Sequence, residues 1–216
     1  MPLNQDEIAV AVRHLRRRDP VLRPVIKAVG PVTLKLERDR FRMLVRSITS
    51  QQISVHAARS IWKRLEALTA ETGMTADALA DLPVEQLRSA GLSVQKAAYV
   101  HDLSAKVSGG TVRLNRIARM TDDDVIAELI QVKGIGVWTA QMFLMFSLGR
   151  LDVFPHDDLG IRSALKRLYG LGELPDKASS HRIAEPWRPY ATIACWYCWR
   201  SHELEKQTEK AAVRKS

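Results

Sequence analysis

Cysteine is almost absent. Two in 216 residues leave no room for a disulfide framework, a four-cysteine zinc site or a four-cysteine iron–sulfur cluster. Glycine (11) and proline (9) are too sparse for a collagenous or loop-dominated chain. Long apolar runs are missing too. The most apolar stretch, 137–148, contains Thr139, Gln141 and Ser147 and is too short and too polar to span a bilayer. The opening MPLNQDEIAV has no basic cap ahead of an apolar core, so no secretory signal is expected. Acidic residues are in deficit, 24 against 33 Lys and Arg. The net charge of +9 argues for a polyanionic partner without fixing a fold. What remains is ordinary: 46% hydrophobic and 26% charged, with enough length for one large domain or two small lobes. A reduced, cytoplasmic chain facing DNA or RNA is the expectation.

The apolar spacing is helical nearly throughout. Ile8, Val12 and Leu15 predict a helix over 6–18, ended by Pro20 and Pro24. Leu44, Val45, Ile48, Ile61, Trp62, Leu65 and Leu68 form a long stripe through 41–68, and the polar insert 49–52 marks a break between two helices. Trp62 reads as core. Further helices are expected over 76–80, 84–90, 95–107, 122–131, 138–148, 159–169 and 190–205. Residues 32–36 read as a strand or as plain extended chain, and the polar stretch 205–216 as a fraying tail. The fold class is all-α.

The chemistry lies in 129–162. A helix runs into Gly134-Ile135-Gly136 and a second leaves at once. Glycines at alternate positions permit a tight turn and close approach to a partner. Amides at the second helix's start would face a phosphate, with Lys133 beside them. A plain helix cap is the competing reading. One helix later, Pro155 forces an extended loop, and Asp157 and Asp158 stand where the next helix starts. An aspartate there is an ordinary N-cap. One cap needs one aspartate, so the pair suggests a second duty.

The stretch VKGIGVWTAQMFLMFSLGRLDVFPHDDLGI (132–161) resembles the hairpin-loop-aspartate signature of the helix–hairpin–helix DNA glycosylase superfamily. SITSQQISV (47–55), GLS (91–93) with Lys96, and PWRPY (186–190) with Trp196 are similar to the 3-methyladenine DNA glycosylase II branch. The resemblance covers residues 38–200. It implies a two-lobed helical fold with the active site at the lobe junction. The expected division is a lead-in over 1–37, the glycosylase fold over 38–204 and a polar tail over 205–216. Asp158 is the implied catalytic residue, because the family's aspartate stands three residues before the apolar residue opening the next helix face, here Ile161. Asp157 is then a neighbouring capping or water-facing group. Bifunctional relatives carry a lysine two residues after the second glycine. Trp138 holds that position here, so no covalent lyase step is expected.

The implied reaction is hydrolytic release of alkylated purines of the 3-methyladenine and 7-methylguanine class from double-stranded DNA in base excision repair. Departure of the base builds positive charge on the sugar, which a carboxylate stabilises while orienting water. A base alkylated at N3 or N7 is already cationic and needs no acid to leave. An aromatic pocket would favour it by cation–π attraction. Trp138, Trp196, Met142 and Gln51 are expected to form that pocket, whereas Trp187, Tyr197 and Trp199 read as packing. Gln52 is the expected wedge filling the vacated stack. Gln52, Lys133, Gly134, Gly136 and Thr139 are the expected DNA contacts; an exposed helix cap is the other reading of 51–52. His56 and His156 read as phosphate contacts or as satisfied histidines. The Cys195–Cys198 pair is given no metal. No cofactor is expected beyond a Na+ or K+ ion on the hairpin carbonyls of Ile130, Val132 and Ile135. A monomer without membrane association is expected, acting on DNA in the cytoplasm, in a nucleoid or nucleus according to source. Two alternatives stand: a non-catalytic helix–hairpin–helix DNA-binding protein, and a glycosylase for another lesion class.

Overall fold

The computed structural model describes residues 3–213, with side chains as far as residue 205. Among the described residues there are helices and turns and no strand. The helices are α1 (Gln5–Arg18), α2 (Leu22–Val29), α3 (Arg40–Ser50), α4 (Val55–Leu68), α5 (Ala76–Asp81), α6 (Val84–Ser89), α7 (Val94–Ser108), α8 (Asp122–Leu129), α9 (Val137–Phe143), α10 (Leu159–Leu168), α11 (Lys177–Ala184) and α12 (Ala191–Val213). They group into two compact units, Met1–Leu36 with Gly149–Ser216, and Glu37–Leu148.

The first unit is built round α12, which packs on α1, α2 and α10. Ala191, Ile193, Ala194, Cys195, Tyr197 and Cys198 are all buried, so its first turns are apolar on every side and thread the core. Asn4 caps α1, and Ile8, Ala11 and Leu15 face inward. Asp19 then closes α1 and opens α2. Its N–H donates to the Leu15 carbonyl at 2.9 Å, and its carboxylate accepts from the Val21 and Leu22 amides at 2.8 and 3.1 Å. Trp187 Nε1 (2.7 Å) and the Tyr169 hydroxyl also donate to that buried carboxylate. Burial, then the adjoining Asp19, pushes the Tyr169 phenol well above its usual range.

Helix α2 departs from the expectation that Pro20 and Pro24 end the helical run. Pro24 lies in the first turn of α2, where a missing N–H costs nothing. Helix α11 is likewise additional, started by Asp176 accepting from the Ser179 amide at 2.7 Å. Residues 32–36 are extended without pairing, with Leu34 turned inward. Helix α12 runs past 205 to Val213.

In the second unit α7 is the central strut, in contact with α3, α5 and α6, while α3 also meets α4 and α9, and α8 meets α9. Leu44, Val45, Ile48, Leu65, Leu79, Leu87, Val100, Leu103, Leu129 and Phe143 form its core. Each such side chain stabilises the unit by roughly 1.5–3 kcal/mol. The stripe through 41–68 breaks where expected, between Ser50 and Val55, and Ser54 caps α4. Trp62 departs from its core reading. It is half-buried, and the guanidinium groups of Arg42 and Arg46 lie 5.2 and 5.9 Å from its ring centroid. Helix α9 continues into a wider π-type turn, Leu144–Leu148. There the Phe146 carbonyl accepts the Glu37 amide at 2.8 Å, and the Ser147 hydroxyl donates to the Glu37 carbonyl at 2.9 Å.

Candidate active site

The predicted side chains fall on both units and are taken in turn. In the second unit the hairpin joins α8 to α9. Gly134 adopts φ +82°, a left-handed conformation natural to glycine. A Cβ at that position would stand 2.1 Å from Tyr99 Cδ2, so the Tyr99 ring closes the space beneath the turn. Gly136 is the N-cap of α9, has no side-chain cap bond, and has nothing within 4 Å of where a Cβ would lie. The Lys133 side chain is exposed, while its amide donates to Asp102 Oδ2 at 2.8 Å. Lys106 Nζ donates to the same carboxylate (2.8 Å) and to the Gln131 carbonyl (2.7 Å). Burial pushes the Asp102 carboxyl up. The hydrogen bonds from Lys106 and the Lys133 amide, with both ammonium charges, outweigh that and hold it below the ordinary carboxylate range.

The turn between α3 and α4 lies against the hairpin. Gln51 Nε2 donates to the Gly134 carbonyl at 2.9 Å. Gln52 is exposed with φ +53°, the one non-glycine residue of positive φ among those described. Both glutamines line a cavity of about 650 Å³ whose walls also include Trp138, Thr139, Met142, Phe146, Met43 and Ser47, with Glu37 and Arg46 in the lining. Trp138 is 45% exposed and Met142 9%.

In the first unit Asp158 is the N-cap of α10. Its Oδ1 accepts from the Ile161 amide at 2.8 Å and from Trp199 Nε1 at 3.0 Å. Two donors on one oxygen fix the plane of the carboxylate. Gly160 makes this arrangement fit, since a Cβ there would lie 3.1 Å from Asp158 Oδ1 and 3.2 Å from Trp199 Cδ1. Asp158 is half-buried, and its amide closes the preceding turn on the Pro155 carbonyl at 2.9 Å. Asp157 is exposed and pairs with His156 at 3.2 Å. The cap is therefore Asp158 itself, and Asp157 is the water-facing member of the pair. His156 lies under cover against the His181 ring, 5.1 Å between centroids, which argues against a phosphate contact. Burial holds its pKa low, against the upward pull of Asp157.

The second unit thus brings together Trp138, Met142, Gln51, Gln52, Lys133 and the two hairpin glycines. Three residues sit differently from what the sequence suggests. Thr139, expected on DNA, is 5% exposed and lines the cavity, because it lies on the inward side of α9. Trp196, expected to stack on a base, is 8% exposed and packs edge-on against Tyr197 with centroids 5.0 Å apart. Trp199, expected to be packing alone, holds Asp158. Met43, Ser47 and Ser50 were missed; their spacing along one face of α3 was the available signal. The carbonyls of Ile130, Val132 and Ile135 all fall in the hairpin, and that of Val132 already accepts the Ile135 amide at 3.1 Å. Neutral carbonyl donors without a carboxylate suit a monovalent rather than a divalent ion.

The family model described as HhH-GPD superfamily base excision DNA repair protein matches residues 45–189. Over 207 residues the chain is 31% identical to DNA-3-methyladenine glycosylase 1 of Schizosaccharomyces pombe, covering 94% of this chain and 91% of that protein. It is 30% identical to the alkylbase DNA glycosidase-like protein mag2 of the same organism, covering 91% and 95%. The crystal structure of a DNA-3-methyladenine glycosidase from Bacillus halodurans superimposes with a TM-score of 0.80 at 36% identity over 88% of each chain. The S. pombe 3-methyladenine DNA glycosylase Mag1, in complex with abasic DNA, gives 0.78 at 31% identity, over 88% of this chain and 95% of that one. With two thirds of its length matched and its hairpin and helix-capping aspartate in place, the chain belongs to the HhH-GPD superfamily of base excision DNA repair proteins, on the branch of the 3-methyladenine DNA glycosylases.

Proposed function

We propose that the chain is a monofunctional DNA glycosylase that hydrolyses the N-glycosidic bond of alkylated purines in double-stranded DNA. The observation that carries this is Asp158. Its carboxylate is held in one orientation by the Ile161 amide and the Trp199 indole, in a chain with tryptophan where a lyase would need lysine. As the bond to the base lengthens, positive charge gathers on the sugar, and the aspartate stabilises it electrostatically. Water adds at the anomeric carbon and gives its proton to the carboxylate or solvent. The base departs with the bonding electron pair, which neutralises a purine alkylated at N3 or N7, so no second acid is needed.

The remaining roles follow from the geometry of the second unit. The exposed Trp138 face and the polarisable Met142 suit a cationic purine in the cavity, worth about 0.5–2 kcal/mol over a neutral base. Gln52, exposed in a left-handed turn, is the wedge, and Gln51 borders the cavity. Lys133 and the hairpin amides meet phosphate. When present, a Na+ or K+ ion held by Ile130, Val132 and Ile135 would add positive charge beside that phosphate. The enzyme acts as a monomer on DNA, and no described helix is long and apolar enough to cross a membrane.

A non-catalytic DNA-binding reading has one observation in its favour. Asp158 caps α10, a sufficient reason for an aspartate. The relatives named DNA-3-methyladenine glycosylase favour the enzyme, and chromatography of bases freed from methylated duplex DNA tests it directly. Release of 3-methyladenine and 7-methylguanine is expected, with no adduct trapped by borohydride. Binding without release would establish the non-catalytic reading. A trapped adduct would establish lyase chemistry, and release from a parallel oxidised duplex but not from the methylated one would change the lesion class.

A further inference from the structure

Lys96, Tyr99, Asp102 and Lys106 lie on one face of α7, at spacings of three, three and four. Each supports something other than its own helix. Asp102 and Lys106 pin the hairpin through the Lys133 amide and the Gln131 carbonyl, and Tyr99 fills the space beneath Gly134. Lys96 reaches the other feature. Its Nζ donates to the Thr49 carbonyl at 3.0 Å and to the Gln51 carbonyl at 2.5 Å. These carbonyls belong to the end of α3, where helical partners run out. Two carbonyl dipoles converging on one point repel unless a donor lies between them. An ammonium with three donors satisfies both. Directly after that point the chain turns through Gln52 in the left-handed region, which a residue with a Cβ adopts only when its surroundings impose it.

We infer that Lys96 is a positioning residue for base extrusion: by clamping the Thr49 and Gln51 carbonyls it holds the turn so that Gln52 projects outward and the Gln51 amide stays on the hairpin. One helix then sets both the wedge and the phosphate-binding turn in register. The inference rests on the wedge reading of Gln52. Methionine at 96 keeps most of the length and removes the donors. Arginine keeps the charge and supplies enough donors for both carbonyls, though in a flat fork that fits less well.

The test is a cycle of Lys96→Met, Lys96→Arg, Gln52→Ala and Lys96→Met/Gln52→Ala. Flipping is read by stopped-flow fluorescence of 2-aminopurine placed beside a lesion, alongside affinity for undamaged duplex and thermal unfolding. Lys96→Met is expected to lower the flipped fraction about tenfold while affinity for undamaged duplex stays within twofold. Lys96→Arg should recover at least a third of the flipped fraction. In the Gln52→Ala background Lys96→Met should cost less than twofold more. Losses from Lys96→Met and Gln52→Ala that multiply would overturn the inference and leave the wedge reading intact. A Gln52→Ala protein that flips like the wild type would remove the wedge reading and the role of Lys96 with it. Should Lys96→Met fail to fold, Lys96→Arg combined with Gln52→Ala carries the same comparison.

Discussion

At the scale of single residues, Asp158 does two jobs with one carboxylate. It caps α10 and presents an oriented charge, and Trp199 is what ties the two jobs together. Trp199→Phe keeps an aromatic ring but loses the N–H together with the fused pyrrole. We expect a stability loss of about 1–3 kcal/mol in a denaturant melt, hydrogen bond and packing together, and a fall of about tenfold in single-turnover base release. Unchanged release would mean that the indole only packs. The sequence made the aspartate legible, because hairpin, loop and cap are contiguous and each leaves a local signature. The choice between Trp196 and Trp199 was not legible. The two stand on turns of α12 that are apolar on every side, so no amphipathic stripe gives the helix a phase. Only packing decides which ring meets Asp158.

At the scale of elements, the hairpin owes its shape to α7. Gly134 cannot accept an introduced charge, since any side chain would strike Tyr99. Gly136 can. It has open space and the extended backbone of an N-cap, where aspartate is favoured. Gly136→Asp should therefore leave the melting temperature level or slightly raised. Its DNA affinity should fall about tenfold at low salt, by a margin that shrinks as salt screens the charge. Equal affinity at low salt would take the hairpin off the DNA. The Asp102 anchor predicts a pH response. A carboxyl held below its ordinary value stabilises the fold above the unfolded-state pKa, near 3.8, and loses that stabilisation as pH falls through the lower folded value. Protection of the amides in 130–136, taken relative to their intrinsic exchange at each pH, should fall on acidification over that range in the wild type. In Asp102→Asn protection should be low already at neutral pH, and wild-type protection that stays constant into acid would contradict the anchor. Most helices were readable from spacing and caps. Helix α2 was not, because a proline reads as a stop unless its place in the first turn is known. The end of α12 was not either, because polarity suggests fraying while good helix formers without Gly or Pro continue a helix.

At the scale of the molecule, all-helical architecture and a basic surface were legible from composition and periodicity. The grouping of the chain was not. The first 36 residues join the stretch after 149 in one unit, a pairing of segments more than a hundred residues apart that no local pattern encodes. Asp19 is a centre of that pairing. It satisfies α2's first amides, the Tyr169 hydroxyl and the Trp187 indole from a site 3% exposed. Asp19→Ala strands those donors, and a loss on the order of 3 kcal/mol is expected by chemical denaturation. A loss below about 1 kcal/mol would show that water replaces the carboxylate without penalty.

Asp158→Asn decides whether the charge of Asp158, beyond its capping, drives base release, because asparagine caps a helix as well as aspartate. The measurement is single-turnover release of 7-methylguanine from methylated duplex DNA, with melting temperature and DNA affinity taken on the same protein. A rate at least 100-fold lower is expected, with both of the others nearly unchanged. Release at the wild-type rate from a folded, DNA-binding Asp158→Asn protein would contradict that role of the charge.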